Sequence, residues 1–285
     1  MIREATLEDA AGIEAFLSKT PETTMFLRSN LAHGVGAGDH RHATRYFLWM
    51  IRGGIAGVFG LTADGFLLAQ IPPEITACYP AFANAIAGET VLGMTGTSHC
   101  VVAALKALGL EDAAYSLNHD EPLMRASLKH LPDTEASVRR PDPADAEMLK
   151  EWFATYEMDT GITSSEDIAR THAETRVKAA LRPDTPVRIL IEDGAAVGMA
   201  AINARLADVV QVGGVFVPTL LRKRGYGRRV TAALLAEARC DGAKTAILFA
   251  NNAAAERAYE AIGFETIGTY RVALLQSPQT IAVAA

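Results

Sequence analysis

Three cysteines, Cys78, Cys100 and Cys240, are the whole thiol complement of this 285-residue chain. They are widely spaced, odd in number and form no Cys-x-x-Cys pair, which excludes a disulfide-built scaffold and a cysteine zinc or redox motif. Reduced, buried cysteines of a cytoplasmic protein are expected. Long apolar runs are also missing: nowhere do about 18 uninterrupted apolar residues occur, so no membrane span and no membrane partner is expected. The opening residues MIREATLEDA carry acid and lack the apolar stretch of a secretory signal. Excess basic charge is absent, the formal net charge being -6, and with one small basic patch nucleic acid is not an expected partner. His40 and His42 lie two apart, with His33 upstream and only Asp39 as a nearby acid. That spacing is too sparse to predict a metal, and none is expected.

Hydrophobic residues make up 49% and charged residues 21% of the chain, enough apolar matter for a sizeable core. The length suits two domains of middle size better than one. Phe47, Trp49, Trp152 and Phe153 read as core.

The most concentrated signal is Arg222 to Arg229, RKRGYGRR, five bases and two glycines in eight positions. It lies between an apolar run, Val209 to Val217, and an apolar-periodic segment that starts at Val230. Gly225 and Gly227 permit positive φ and close backbone approach, so successive N–H groups can converge on one set of oxygens. A helix beginning there adds its unpaired first-turn donors and its positive dipole end. Arg228 and Arg229 oppose that dipole, which a purely structural loop has little reason to tolerate. A held anion supplies the reason.

Two phosphate loops do not fit. A P-loop requires Lys-Ser/Thr after its last glycine, whereas Arg228 and Arg229 follow Gly227. A dinucleotide fingerprint requires a third glycine where Val230 stands. What remains is Arg-x-x-Gly-x-Gly at Arg222, Gly225 and Gly227. Downstream, the apolar strand Thr245 to Ala250 leads into Asn251, Asn252, Ala255, Tyr259, Gly263 and Phe264. Loop and downstream pattern together, from about Val187 onward, resemble the GNAT superfamily of acyl-coenzyme A-dependent N-acetyltransferases.

The chain also repeats itself weakly. Ile2 to Ala10 aligns with Val138 to Ala146, each an apolar-basic strand, a turn and an aspartate placed to start a helix. Three strands follow in each half: Tyr46 to Arg52, Ile55 to Thr62 and Phe66 to Ile71, against Val187 to Glu192, Ala196 to Ala204 and Val209 to Val217. Gly53-Gly54, Asp64-Gly65 and Asp193-Gly194 are hairpin dipeptides. After Ile71 the first half reads Pro72-Pro73-Glu74-Ile75, with neither glycine pair nor arginine. A helix near Tyr79 to Ala87, a strand at Thr90 to Met94 and a helix at His99 to Leu108 come next. In the second half, helices are expected at Ala146 to Tyr156 and from about Ser165 to Leu181, with a loop at Met158 to Ser164. The expected fold class is α+β: two GNAT-like domains, each a mostly antiparallel twisted sheet flanked by helices. Residues 1–131 form a degenerate copy without the cofactor loop, Pro132 to Ser137 a linker, and residues 138–285 the acetyltransferase domain.

The resemblance implies acetyl-CoA as cosubstrate, a small-molecule or protein amine as acceptor, and a monomer or homodimer. It implies that backbone groups of Val215, Phe216 and Val217 pair with the pantetheine arm, and that Arg222, Lys223, Arg224, Gly225, Tyr226, Gly227 and Arg228 enclose the pyrophosphate. An N–H near Val215 or Phe216 would serve as oxyanion donor. Gly213-Gly214 fits either a strand distortion there or the avoidance of a clash. Tyr259 would be the general acid, its ordinary pKa of about 10 keeping it protonated at rest; packing its ring in the core is the alternative. Asn252 would orient the pantetheine or cap a helix. No carboxylate occupies Val209 to Val217, where many members of the superfamily carry a glutamate. Gln211 could position a water, and Glu157, Asp159 and Glu192 stay open as bases. A non-catalytic acyl-CoA-binding module is the other reading.

Overall fold

In a computed structural model, residues 1–282 are described, and they pack as two compact units. Their elements, in chain order, are β1 (Ile2–Glu4), α1 (Ala10–Leu17), α2 (Pro21–Asn30), β2 (Thr44–Ile51), β3 (Gly54–Thr62), β4 (Phe66–Gln70), α3 (Cys78–Ala85), β5 (Thr90–Thr97), α4 (Ser98–Ala107) and β6 (Tyr115–Ser127). Then come β7 (Ser137–Arg139), α5 (Ala146–Asp159), α6 (Glu166–Ala180), β8 (Val187–Glu192), β9 (Ala195–Arg205), β10 (Val209–Phe216), α7 (Tyr226–Cys240), β11 (Thr245–Phe249), α8 (Ala253–Glu260) and β12 (Glu265–Thr280). The class is mixed α and β, with mostly antiparallel strands flanked by helices. No helix among the described residues is long and apolar enough to cross a membrane.

The first unit is Met1–Glu121 together with the chain from Thr269 onward; the second is Pro122–Gly268. The linker-based division expected at 1–131 and 138–285 assigns the closing strands differently. Residues 123–127, at the end of β6, pair antiparallel with β11 in the second unit, Met124 opposite Leu248 and Ala126 opposite Ala246. Residues 270–280 of β12 pair antiparallel with β5 in the first unit, Tyr270 opposite Thr97 and Ala273 opposite Met94. Each unit thus takes its closing strand from beyond the linker-based boundary. Backbone pairing, which buried N–H and C=O groups require, overrides the linker as the divider.

Within each unit the order is the same. β1-β2-β3-β4-β5 in the first corresponds to β7-β8-β9-β10-β11 in the second, and the one parallel pair is β4–β5 or β10–β11. The aligned starts also agree in detail. Arg3 donates to both oxygens of Asp9 (2.8 and 2.6 Å) and Thr6 N–H to Asp9 (2.8 Å); Arg139 does the same to Asp145 (2.6 and 2.8 Å), as does Asp142 N–H (2.8 Å). In both, an aspartate closes a reciprocal cap at the helix entry. The guanidinium holds each carboxyl below the ordinary carboxylate range.

Arg52 and Gly53 (φ 49° and 81°), like Asp193 and Gly194 (φ 50° and 78°), form left-handed two-residue turns. In the first hairpin the turn is therefore Arg52-Gly53, one residue earlier than Gly53-Gly54. α5 runs through Met158 to Asp159, longer than expected, and the loop before α6 starts at Thr160. Phe47, Trp152 and Phe153 are buried, as is the stacked pair Phe59–Phe82 with ring centroids 4.1 Å apart.

Candidate functional site

β10 and β11 run parallel through three residue pairs, Val209–Thr245, Val210–Ala246 and Gln211–Ile247, and then part. Past that point β11 stays on β6 through Phe249, while β10 continues to Phe216 with β9 as its partner. The fork opens backbone positions 212–217 on one edge. In the first unit β4 and β5 remain paired to Ala69–Gly96, one residue short of the end of β4, and no fork forms.

The glycines at the fork have two separate causes. Gly214 takes φ +59° within the register shift between Gly213 and Phe216, a backbone bend that a side chain would strain. Gly213 has no room for a side chain: a Cβ there would stand 1.9 Å from Asn203 Nδ2. The two readings left open by the sequence thus each hold at one position.

Beyond Phe216 the chain turns through Thr219–Leu221 and enters α7 at Gly225, which sits in the left-handed region (φ 81°, ψ 4°) as N-cap. A glycine supplies no side-chain cap, so the first-turn N–H groups of Tyr226, Gly227 and Arg228 are left for another acceptor. No acid stands in that first turn. Gly227 is informative in a different way. A Cβ there would meet nothing closer than Val215 Cγ1 and Val217 Cγ2, both at 3.9 Å. The protein's own packing does not demand glycine there.

The loop's bases divide by role. Arg222 pairs with Asp159 and donates to Val217 O (3.0 Å). Arg229 forms a fork to Glu192 (2.9 and 2.6 Å), which lowers the glutamate's pKa. Asp159 and Glu192 therefore brace the loop. Lys223, Arg224 and Arg228 enter no ion pair among the described residues, and Lys223 adopts φ 65°. They are the cations free to meet an anion.

Asn252 caps α8, its Oδ1 accepting from Ala254 N–H (3.0 Å) and Ala255 N–H (2.9 Å). Seven residues on, Tyr259 lies in the last turn of the helix with its ring against Phe264 (5.9 Å) and is 8% exposed. α8 packs on α7. Gln211 is buried at the last β10–β11 pair; its Nε2 donates to Val212 O (2.8 Å), while Oε1 has no partner among the described residues.

Glu157 alone of the three carboxylates is buried. It accepts from His172 Nδ1 (2.7 Å) and pairs with Arg176 (3.4 Å). The Arg176 guanidinium lies over Phe153 (4.5 Å) and Tyr156 (5.1 Å) and reaches the space above Gly214. Phe153, Arg176, Met199, Asn203 and Gly214 line one cavity of about 250 Å³ beside the fork. Arg176 and Asn203 carry no sequence motif; only the packing of α5, α6 and β9 brings them here, and His172 is joined to Arg176 through Glu157.

A strand forked from its parallel neighbour, faced by a glycine-capped basic helix start, is the arrangement of the GNAT fold. Residues 146–264 match the acetyltransferase (GNAT) family. No curated protein matches the sequence. Among solved structures, a Drosophila protein aligns at TM-score 0.61 with 14% identity, over 96% of this chain and 98% of its own. A GCN5-related N-acetyltransferase from Sphaerobacter thermophilus aligns at TM-score 0.56 with 15% identity, over 99% and 96%. An acetyltransferase of the GNAT family from Colwellia psychrerythraea aligns at 0.51 with 15% identity, over 96% and 99%. At such identities the likeness is one of fold.

Proposed function

We propose that the chain is an N-acetyltransferase that moves an acetyl group from acetyl-CoA to a primary amine by direct attack. The observation that carries this is Gly227, a glycine required by nothing in the protein and placed where first-turn donors meet the β10 edge. In this reading acetyl-CoA supplies the acetyl group as an activated thioester. The residues fit it: N–H groups from Gly225 to Arg228 take the diphosphate, with Lys223, Arg224 and Arg228 as countercharge. Val215, Phe216 and Val217 offer their backbone to the pantetheine as an added strand, and an N–H at Val215 or Phe216 faces the developing oxyanion.

The acceptor amine must reach the thioester neutral. His172, with Nδ1 held by Glu157, presents its other nitrogen toward solvent and takes the amine proton. The amine nitrogen bonds to the acetyl carbon, the C–S bond breaks, the Tyr259 hydroxyl protonates the leaving sulfur, and the surplus proton on the amide nitrogen restores that hydroxyl. The first unit, lacking both fork and basic glycine loop, is read as a copy without a cofactor site. A thiol-release assay across an amine panel tests the proposal: turnover by the wild type that Y259F loses while still binding acetyl-CoA supports it. Binding with no turnover on any amine would instead mark an acyl-CoA-binding module.

A further inference from the structure

Seven histidines occur in the chain, and three of them, His33, His40 and His42, converge in the first unit, far in sequence from the residues discussed above. Their separation along the chain hides this. His33 ends the short turn Leu31–His33, and Gly34 (φ 100°) then reverses the chain. Gly36 N–H donates to Thr44 O (2.9 Å) and Ala43 N–H to His40 O (2.8 Å), which folds the intervening loop back on itself. Asn30, at the end of α2, donates to Thr44 Oγ1 (3.0 Å), whose hydroxyl in turn donates to His42 O (2.9 Å). The backbone carrying the three rings is thereby tied to buried structure.

The rings stand close together. His33 and His40 stack with centroids 3.7 Å apart and planes 10° from parallel; His42 lies edge-on to both, at 5.9 and 5.3 Å. One nitrogen from each falls within 4.8 Å of the others. Apolar burial does not explain the cluster, because all three residues are exposed. Nor does a carboxylate: Asp64 is engaged by Arg41 (2.9 and 3.2 Å) and by Thr62 Oγ1 (2.7 Å). Three imidazoles with one nitrogen of each in mutual reach are what a borderline divalent transition cation selects.

We propose that His33, His40 and His42 form a site for one such cation, of the zinc, nickel or copper class. At about 2.0–2.1 Å from each nitrogen a tetrahedral ion requires the stacked His33 and His40 rings to turn out of parallel, a side-chain rotation that their exposure permits. Binding through His40 Nδ1 exchanges a hydrogen bond from His42 N–H (3.1 Å), in an exposed turn where water can replace it. Three protein ligands leave the fourth position to solvent, so the ion is exchangeable. The site neither requires nor supplies anything to acyl transfer.

The test uses the full chain without an affinity tag, titrated with Zn(II) in competition with a chromogenic chelator and with Co(II) as a spectroscopic reporter. One equivalent is expected to bind, with visible Co(II) bands and with the imidazole resonances of these three histidines alone shifting together. H40A and H42A should each weaken Zn(II) by at least the roughly 10- to 100-fold that loss of even an outer-shell partner costs, with acetyl-CoA affinity unchanged as the check on folding. If a variant fails to fold, the wild-type resonance shifts decide alone. No stoichiometric binding, shifts at other histidines, or unchanged affinity in H40A and H42A overturns the proposal.

Discussion

Two glycine-to-alanine changes, two residues apart, should part company in stability while agreeing in cofactor binding. At Gly225 the backbone is left-handed, and a side chain there costs about 1–2 kcal/mol. The new Cβ would lie 3.2 Å from Arg228 Nε, which the flexible side chain can yield. G225A should therefore lower the melting temperature by roughly 2–8 °C. At Gly227 the backbone is helical and the nearest atoms are 3.9 Å from an added Cβ. Alanine is the better helix former, so G227A should melt unchanged or about 1–2 °C higher. Its methyl nevertheless stands in the cradle and pushes the diphosphate off the first-turn amides. A hydrogen bond to a charged group contributes about 1.5–3 kcal/mol, so each one lost weakens acetyl-CoA by roughly 10- to 100-fold. Calorimetric titration with acetyl-CoA beside thermal melts measures both. A G227A protein that binds acetyl-CoA as tightly as the wild type would refute the reasoning, since the structure gives that glycine no other purpose.

Y259F should lower kcat by about a hundredfold or more while acetyl-CoA affinity is kept, as read by single-turnover assay. H172A should cost kcat/KM a similar factor, and E157Q should follow it because the carboxylate sets the ring's orientation. The Arg3–Asp9 and Arg139–Asp145 pairs hold both carboxyls below their unfolded value of about 3.9. Their stabilisation is thus complete above that value and is lost as pH falls toward the folded one. Melting temperature should fall as pH drops below about 4, and D145N should melt lower at neutral pH with a shallower acid decline.

Much of this was readable in the chain. Alternating apolar strands and left-handed turn residues marked both meanders, and the glycines and bases of RKRGYGRR marked the start of α7. The exchange of closing strands was not readable. β6 and β12 contain Pro122 and Pro278, which interrupt a strand pattern, and the second falls within a register shift opposite β5. Which neighbour each strand takes depends on long-range pairing that local pattern does not encode. The same holds for the site's polar wall. Glu157, His172 and Arg176 come from two helices whose contact no spacing announces, and His33 meets His40 and His42 only through a glycine-reversed loop.

The central claim is that backbone donors at the start of α7 hold the diphosphate of acetyl-CoA. A crystal structure of the complex measures it most directly. The account predicts diphosphate oxygens within about 2.7–3.2 Å of N–H groups between Gly225 and Arg228, with the pantetheine running along Val215 to Val217. A diphosphate bound elsewhere, with those amides facing water, would contradict it.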